Sequence, residues 1–199
     1  MGHKLFPASQ ELFRTYGFSN LEYCDIDDEQ KEEQLAHLDQ YEIIYLTGGD
    51  PLGFRRNIIR VGLAGKLQQY LTTGRMIVAA SGGSMQLTKN VSLFRLLDGA
   101  LDEVFENRCE YEALGLVDYE FLPHMNRFEP SFLELVRRYS ERVNHDVIGV
   151  ADGAAVLHRR SDNYWCVGKA TRFHKGVMTP IETAAYRLTS VSRENEESE

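Results

Sequence analysis

Cysteine is scarce and scattered. Cys24, Cys109 and Cys166 form no C-x-x-C pair, and three thiols at such spacing exclude a disulfide framework. They predict reduced thiols and a cytoplasmic protein. Long hydrophobic runs are missing too. No stretch reads as a signal peptide or is long enough to span a bilayer, so no membrane partner is expected. Positive charge is in deficit: 22 Lys and Arg against 30 Asp and Glu leave a formal net charge of −8. That balance excludes the basic footprint of a nucleic-acid binder. There is no H-E-x-x-H and no Cys/His ligand spacing, so no metal or other cofactor is expected. The pair Gly82-Gly83 lacks the lysine and spacing of a phosphate-binding loop. Internal repeats, interdomain linkers and low-complexity core segments are also absent.

What is present suits one globular domain. With 43% hydrophobic residues in 199, the chain can bury a sizeable core, read here as a single domain over residues 1–192. Residues 193–199 read as an acidic, disordered tail. Leu5 to Tyr16 reads as a short helix closed by Gly17, Asn20 to Ile26 as a strand, and Glu29 to Leu38 as a charged helix. Tyr41 to Leu46 is an apolar strand ending in Thr47-Gly48-Gly49-Asp50-Pro51, followed by a helix over Phe54 to Thr72. After the strand Met76 to Ala80, a helix is expected over Met85 to Asn90 and a strand over Leu114 to Leu122. An amphipathic helix over Ser131 to Val143 comes next. Val147 to Ala151, Ala154 to Arg159 and Tyr164 to Gly168 read as strands separated by turns. Strands alternating with helices in this way predict an α/β fold with a largely parallel sheet.

The stretch Arg75-Met76-Ile77-Val78-Ala79-Ala80-Ser81-Gly82-Gly83-Ser84-Met85 carries the strongest chemical signal. An apolar strand stops at a serine, two glycines follow, and a helix begins. That is the layout of a nucleophile elbow, in which small neighbours allow a sharp turn and backbone N–H groups face a developing oxyanion. The bland alternative is a Gly-rich strand-to-helix turn with a capping serine. A nucleophilic serine needs a base, and six histidines are available. His124 follows Pro123 at the end of an apolar strand, where ligand crevices of open α/β sheets lie. His37 falls in a charged helix, His145 precedes a strand, and His158 and His174 sit among the C-terminal strands.

Three segments together resemble the aspartyl dipeptidase (peptidase E) and cyanophycinase family of serine peptidases. Tyr45-Leu46-Thr47-Gly48-Gly49-Asp50 is similar to that family's strand ending in G-G-N or G-G-D. Ala80-Ser81-Gly82-Gly83-Ser84-Met85 is similar to its G-x-S-A-G elbow, and Gly115-Leu116-Val117 through Pro123-His124 to its histidine strand. The turn Asp152-Gly153-Ala154-Ala155 matches a recurring D-G-T-A feature. The resemblance implies a three-layer sandwich of the class I glutamine amidotransferase type, with serine as nucleophile. It implies Ser81 as nucleophile, His124 as base, and the N–H groups of Gly82 and Gly49 as the oxyanion hole. The acid is expected in the loop between elbow and histidine strand, with Asp98 preferred and Asp102 as the alternative.

The resemblance also implies a substrate: short peptides with N-terminal aspartate. A guanidinium suits a carboxylate in that role. Arg127, three residues after His124, is the expected substrate-binding residue, with pairing to Glu129 or Glu134 as the bland alternative and Arg55 or Arg172 next in line. A cyanophycinase-like hydrolase and a catalytically silent binding member are the other functions considered, and a homodimer is allowed. Two departures stand out. Gly82 and Ala79 replace the family's alanine and glycine around the serine. Only a short remnant precedes Gly17, so a sheet element is expected to be missing or supplied by another segment or chain.

Overall fold

Two parallel strand pairs frame the site in the computed structural model, which describes residues 2–27, 35–159 and 164–182. Strand β1 (Ile43–Leu46) pairs with β2 (Met76–Ala79), and β3 (Tyr119–Leu122) pairs with β4 (Asp146–Val150). Parallel neighbours need a crossover. Helices α2 (Pro51–Arg60) and α3 (Leu63–Thr72) join the first pair, after an N-terminal α1 (Gly2–Thr15). The short α4 (Gly82–Met85) follows β2, α5 (Leu101–Glu106) lies between the pairs, and α6 (Pro130–Arg142) joins β3 to β4.

The C-terminal strands run differently. Strands β5 (Ala155–His158) and β6 (Tyr164–Val167) form an antiparallel ribbon. Strand β7 (Ala170–His174) pairs antiparallel with β4, and β8 (Val177–Ile181) pairs antiparallel with β7. The link between β7 and β8 is Lys175-Gly176, both at positive φ (47° and 77°), a backbone suited to a two-residue hairpin. The fold is therefore mixed α/β. Among the described strands, antiparallel pairings outnumber parallel ones, which corrects the expectation of a largely parallel sheet.

Other departures from the sequence reading have local causes. The helix expected over Phe54 to Thr72 is two helices, broken at Gly62 in the left-handed region (φ 63°). Asp50 caps α2 by accepting from the N–H groups of Leu52 and Gly53, both at 3.0 Å. No strand forms over Asn20 to Ile26: the Ile26 carbonyl accepts from Arg60 at 2.5 Å, and the Asp25 side chain accepts from the Asp27 N–H at 3.1 Å. The helix expected over Met85 to Asn90 ends early. The carbonyls of Gln86, Leu87 and Thr88 accept instead from the N–H groups of Leu114, Leu116 and Gly115. The same bonds occupy the chain before Tyr119, so β3 begins later than expected. Most of the helix expected over Glu29 to Leu38, and all of the acidic tail, lie outside the described residues.

Burial anchors the histidine strand. Val136 and Tyr139 of α6 pack with Val147 and Phe173, all fully buried. Ile58, Leu63 and Leu67 pack with Leu46 and Leu114 under the first strand pair. Glu120 on β3 is fully buried, and it accepts from Arg108 (2.5 Å), from the Tyr139 hydroxyl (2.9 Å) and from His145 Nε2 (2.8 Å). A buried carboxylate needs such partners. His145 is thus engaged in the core beneath β3. Among the described residues, no helix is long and apolar enough to cross a membrane.

Candidate active site

Strand β2 ends at Ala79, and the chain reverses direction within two residues. Ser81 takes φ 50° and ψ −122°, a conformation that side chains other than glycine rarely adopt. Its surroundings hold it there. The Ala80 N–H donates to the Leu46 carbonyl at 3.0 Å, the Gly83 N–H to Ala80 at 2.9 Å, and the Ser84 N–H to Ser81 at 3.0 Å. Gln86, fully buried, donates through Nε2 to the carbonyls of Pro51 (2.9 Å) and Gly82 (3.0 Å). That side chain ties the turn after β1 to the turn after β2.

Gly83 is required by contact. A Cβ there would lie 2.6 Å from the Leu46 carbonyl oxygen and overlap the Thr47 carbonyl oxygen as well. Both are backbone atoms at the end of β1 and cannot rotate away. Gly83→Ala should therefore cost about 1–3 kcal/mol of stability, the usual range for forced overpacking. Chemical denaturation read by circular dichroism checks this. An unchanged midpoint would mean that the two turns are not pressed together.

Ser81 meets its partner across the cleft. His124 follows β3 in the left-handed conformation (φ 59°, ψ 30°), and its Nε2 lies 2.9 Å from Ser81 Oγ. Its Nδ1 lies 2.6 Å from Oδ1 of Asp152, which follows β4. The carboxylate is heavily supported. Arg127 donates to it through Nε (2.7 Å) and Nη2 (3.1 Å), and Asn126 through Nδ2 (3.2 Å). The Asn126 side-chain oxygen in turn accepts from the Asp152 N–H at 2.7 Å. The Arg127 guanidinium, then His124 and Asn126, hold the Asp152 carboxyl well below the usual carboxylate range. An ionised carboxylate can only accept, so His124 Nδ1 carries the proton toward Asp152. In the neutral ring Nε2 is then the acceptor facing the serine hydroxyl.

Two expectations are corrected by this geometry. The acid on the imidazole is Asp152, not Asp98 or Asp102. Asp98 closes the 3-10 turn Ser92–Leu97 through its N–H on the Arg95 carbonyl, and Asp102 pairs with Arg142 at 2.6 Å. Arg127, expected on the substrate, is a bidentate partner of Asp152, and neither Glu129 nor Glu134 holds it. Glu134 pairs with Arg137. The fallback arginines are also engaged: Arg55 bonds to the Glu112 carbonyl and Arg172 to Asp146 at 2.7 Å.

The glycines meet beside the serine. A Cβ on Gly82 would overlap the Gly49 carbonyl oxygen and lie 3.4 Å from the Gly49 nitrogen, so the two peptides are in direct apposition. Among the described residues, neither the Gly49 N–H nor the Gly82 N–H donates to a protein acceptor. Ser81, Gly82, Gly49 and His124 border an open cleft.

Every side chain of the hydrogen-bonded chain stands at the carboxyl end of a parallel strand: Ser81 after β2, His124 after β3, Asp152 after β4. Sequence reasoning missed Asp152 as the carboxylate on the imidazole, along with Asn126 and Gln86 as supports. The signal for Asp152 was present, since Asp152-Gly153 directly follows an apolar strand, as His124 does. Nothing in the sequence marks Gln86.

Comparison with known proteins agrees with the architecture. The model of peptidase family S51 matches residues 4–163. An uncharacterized peptidase of Listeria monocytogenes is 26% identical over 149 residues, 71% of this chain and 72% of its own length. An uncharacterized peptidase of Pasteurella multocida is 32% identical over 87 residues, 44% of this chain and 41% of its own length. Two crystal structures share the fold at a TM-score of 0.59. One is a candidate peptidase E of Listeria monocytogenes, at 23% identity over 73% of this chain and 68% of that one. The other is a peptidase from an acI-B1 Actinobacterium, at 21% identity over 77% of this chain and 62% of that one. With the family model spanning most of its length, the chain belongs to peptidase family S51.

Proposed function

We propose that this protein is a serine peptidase that hydrolyses short peptides through Ser81, His124 and Asp152. The continuous hydrogen-bonded chain from Ser81 Oγ through the imidazole to the Asp152 carboxylate carries the reading. Ser81 Oγ attacks the scissile carbonyl carbon while His124 Nε2 takes its proton. The N–H groups of Gly82 and Gly49 stabilise the oxyanion. Collapse breaks the C–N bond, and the leaving amine takes the proton from Nε2. Water, deprotonated by the same nitrogen, then attacks the acyl-serine ester; the C–O bond breaks, Nε2 returns its proton to Ser81 Oγ, and the acid product leaves. Asp152 stabilises the imidazolium at both stages.

The resemblance adds a selectivity for N-terminal aspartate. Arg127, its expected reader, is held by Asp152, so support for the proposal comes from the hydrolytic groups rather than from that selectivity. A catalytically silent member would need no such alignment of serine, imidazole and carboxylate. The test is labelling with a fluorophosphonate probe, which reacts only with an activated serine. Stoichiometric modification mapped to Ser81 is expected. Failure to label in the folded protein would favour the silent reading.

A further inference from the structure

The cleft beside Ser81 has walls of one kind. Leu93, Phe94, Leu97, Leu122, Phe128 and Phe132 line it, and among the described residues no lysine or arginine does. The elements that supply them are independent: the 3-10 turn Ser92–Leu97, the end of β3, and the start of α6 with the residues before it. Phe128 and Phe132 stack with ring centroids 4.5 Å apart, which fixes one wall. The floor is rooted in the core, where Leu93 and Leu122 are buried. Leu97 stands at the rim, 43% exposed.

From this lining we infer that the site takes a peptide with an apolar side chain, aromatic or branched aliphatic, next to the scissile bond, and that it disfavours an acidic one. The inference rests on the serine-peptidase reading for the location of the bond, and on the pocket alone for the preference. An apolar side chain moved from water onto these walls gains by burial in proportion to area. A carboxylate in the same place loses hydration without gaining a cation. The nearby guanidinium that could compensate, Arg127, is already held in a fork on Asp152. Drawing it away would unsupport the carboxylate that orients His124. Selecting an acidic residue with Arg127 and keeping the imidazole aligned are therefore competing demands on one side chain.

Binding to the Ser81→Ala protein tests the preference without requiring turnover. Isothermal titration with the dipeptides Phe-Leu, Leu-Phe, Asp-Leu, Leu-Asp, Ala-Ala and Lys-Leu varies the residues on both sides of the bond. The best apolar peptide should bind about tenfold or more tightly than any acidic one, the discrimination a side-chain-sized apolar pocket supplies. Leu97→Arg in the same background, at a rim position tolerant of charge, should weaken the apolar peptides and strengthen the acidic ones until the order narrows or reverses. Equal or tighter binding of Asp-Leu or Leu-Asp by the parent protein would overturn the inference, as would an order indifferent to Leu97→Arg or no binding of any peptide. Fluorophosphonate labelling of the Ser81-containing protein, run in parallel, reports separately on the serine reading. Labelling with acidic preference sinks the pocket assignment alone. Apolar preference without labelling sinks the nucleophile alone.

Discussion

Replacing Ser81 with alanine should lower the rate of peptide hydrolysis by about four to six orders of magnitude, the loss seen when a nucleophile is removed from a Ser-His-acid unit. The argument is geometric. His124 Nε2 has Ser81 Oγ as its partner at 2.9 Å, and alanine removes that one atom. Among the described residues, no other hydroxyl borders the cleft to replace it. The fold should not notice. Positive φ is as uncomfortable for alanine as for serine, and the turn is held by backbone bonds that the substitution leaves in place. Thermal unfolding should therefore agree between the two proteins within a few degrees, about 1 kcal/mol or less. Matching hydrolysis rates, measured on the same peptide after removal of contaminating peptidases, would end the nucleophile assignment. His124→Ala should fall to a similar level, because the pair acts as a unit.

What the sequence disclosed about this site follows from chain locality. Ser81 and the turn around it were legible because strand, turn and helix are contiguous, and two glycines beside a serine are informative over a handful of residues. His124 was legible from its position just after an apolar strand. Asp152 stands in the same relation to β4, yet the acid was sought between Ser81 and His124. The choice between Asp98 and Asp152 depends on which carboxylate the fold carries to Nδ1, a contact across 28 residues that no local pattern encodes. The arginine was found but misdirected for a similar reason. Arg127 does reach the site, and its side chain turns to Asp152 because the two oxygens of an ionised carboxylate match a guanidinium fork. In the fold, the helical pattern of Phe54 to Thr72 concealed the break at Gly62, since a positive φ leaves no trace in hydrophobic periodicity. The strand expected over Asn20 to Ile26 failed because strand formation needs a neighbouring edge, and the Ile26 carbonyl finds an arginine side chain instead.

Asp152→Asn should lower kcat/KM by about three to four orders of magnitude while leaving the protein folded, the size of effect produced when the triad carboxylate becomes an amide. The loss follows from how the amide must sit. Asp152 uses both oxygens: Oδ2 accepts from Arg127 Nε and Asn126, and Oδ1 accepts from His124 Nδ1 and Arg127 Nη2. Asparagine has one acceptor oxygen and one NH₂ group. If its oxygen faces Arg127 Nε, the NH₂ meets the Arg127 Nη2 donor and points at His124 Nδ1, which must then become an acceptor. The ring proton moves to Nε2, and the nitrogen facing Ser81 can no longer take the hydroxyl proton. If the amide flips, the NH₂ meets the Arg127 Nε–H and the Asn126 amide, donor against donor, and the loop after His124 loses its anchor. The first arrangement removes the base's tautomer, and the second keeps that tautomer but frees the loop that positions the ring. Fluorophosphonate labelling should slow in parallel with peptide hydrolysis, whereas binding of a peptide to the cleft should change little. Asp98→Asn and Asp102→Asn are the matched controls and should retain activity within about twofold, since surface substitutions away from the reacting groups usually have small effects. A severe loss in Asp98→Asn with near-normal activity in Asp152→Asn would return the role to the loop before β3. A mild loss in all three would mean that His124 works without a carboxylate partner.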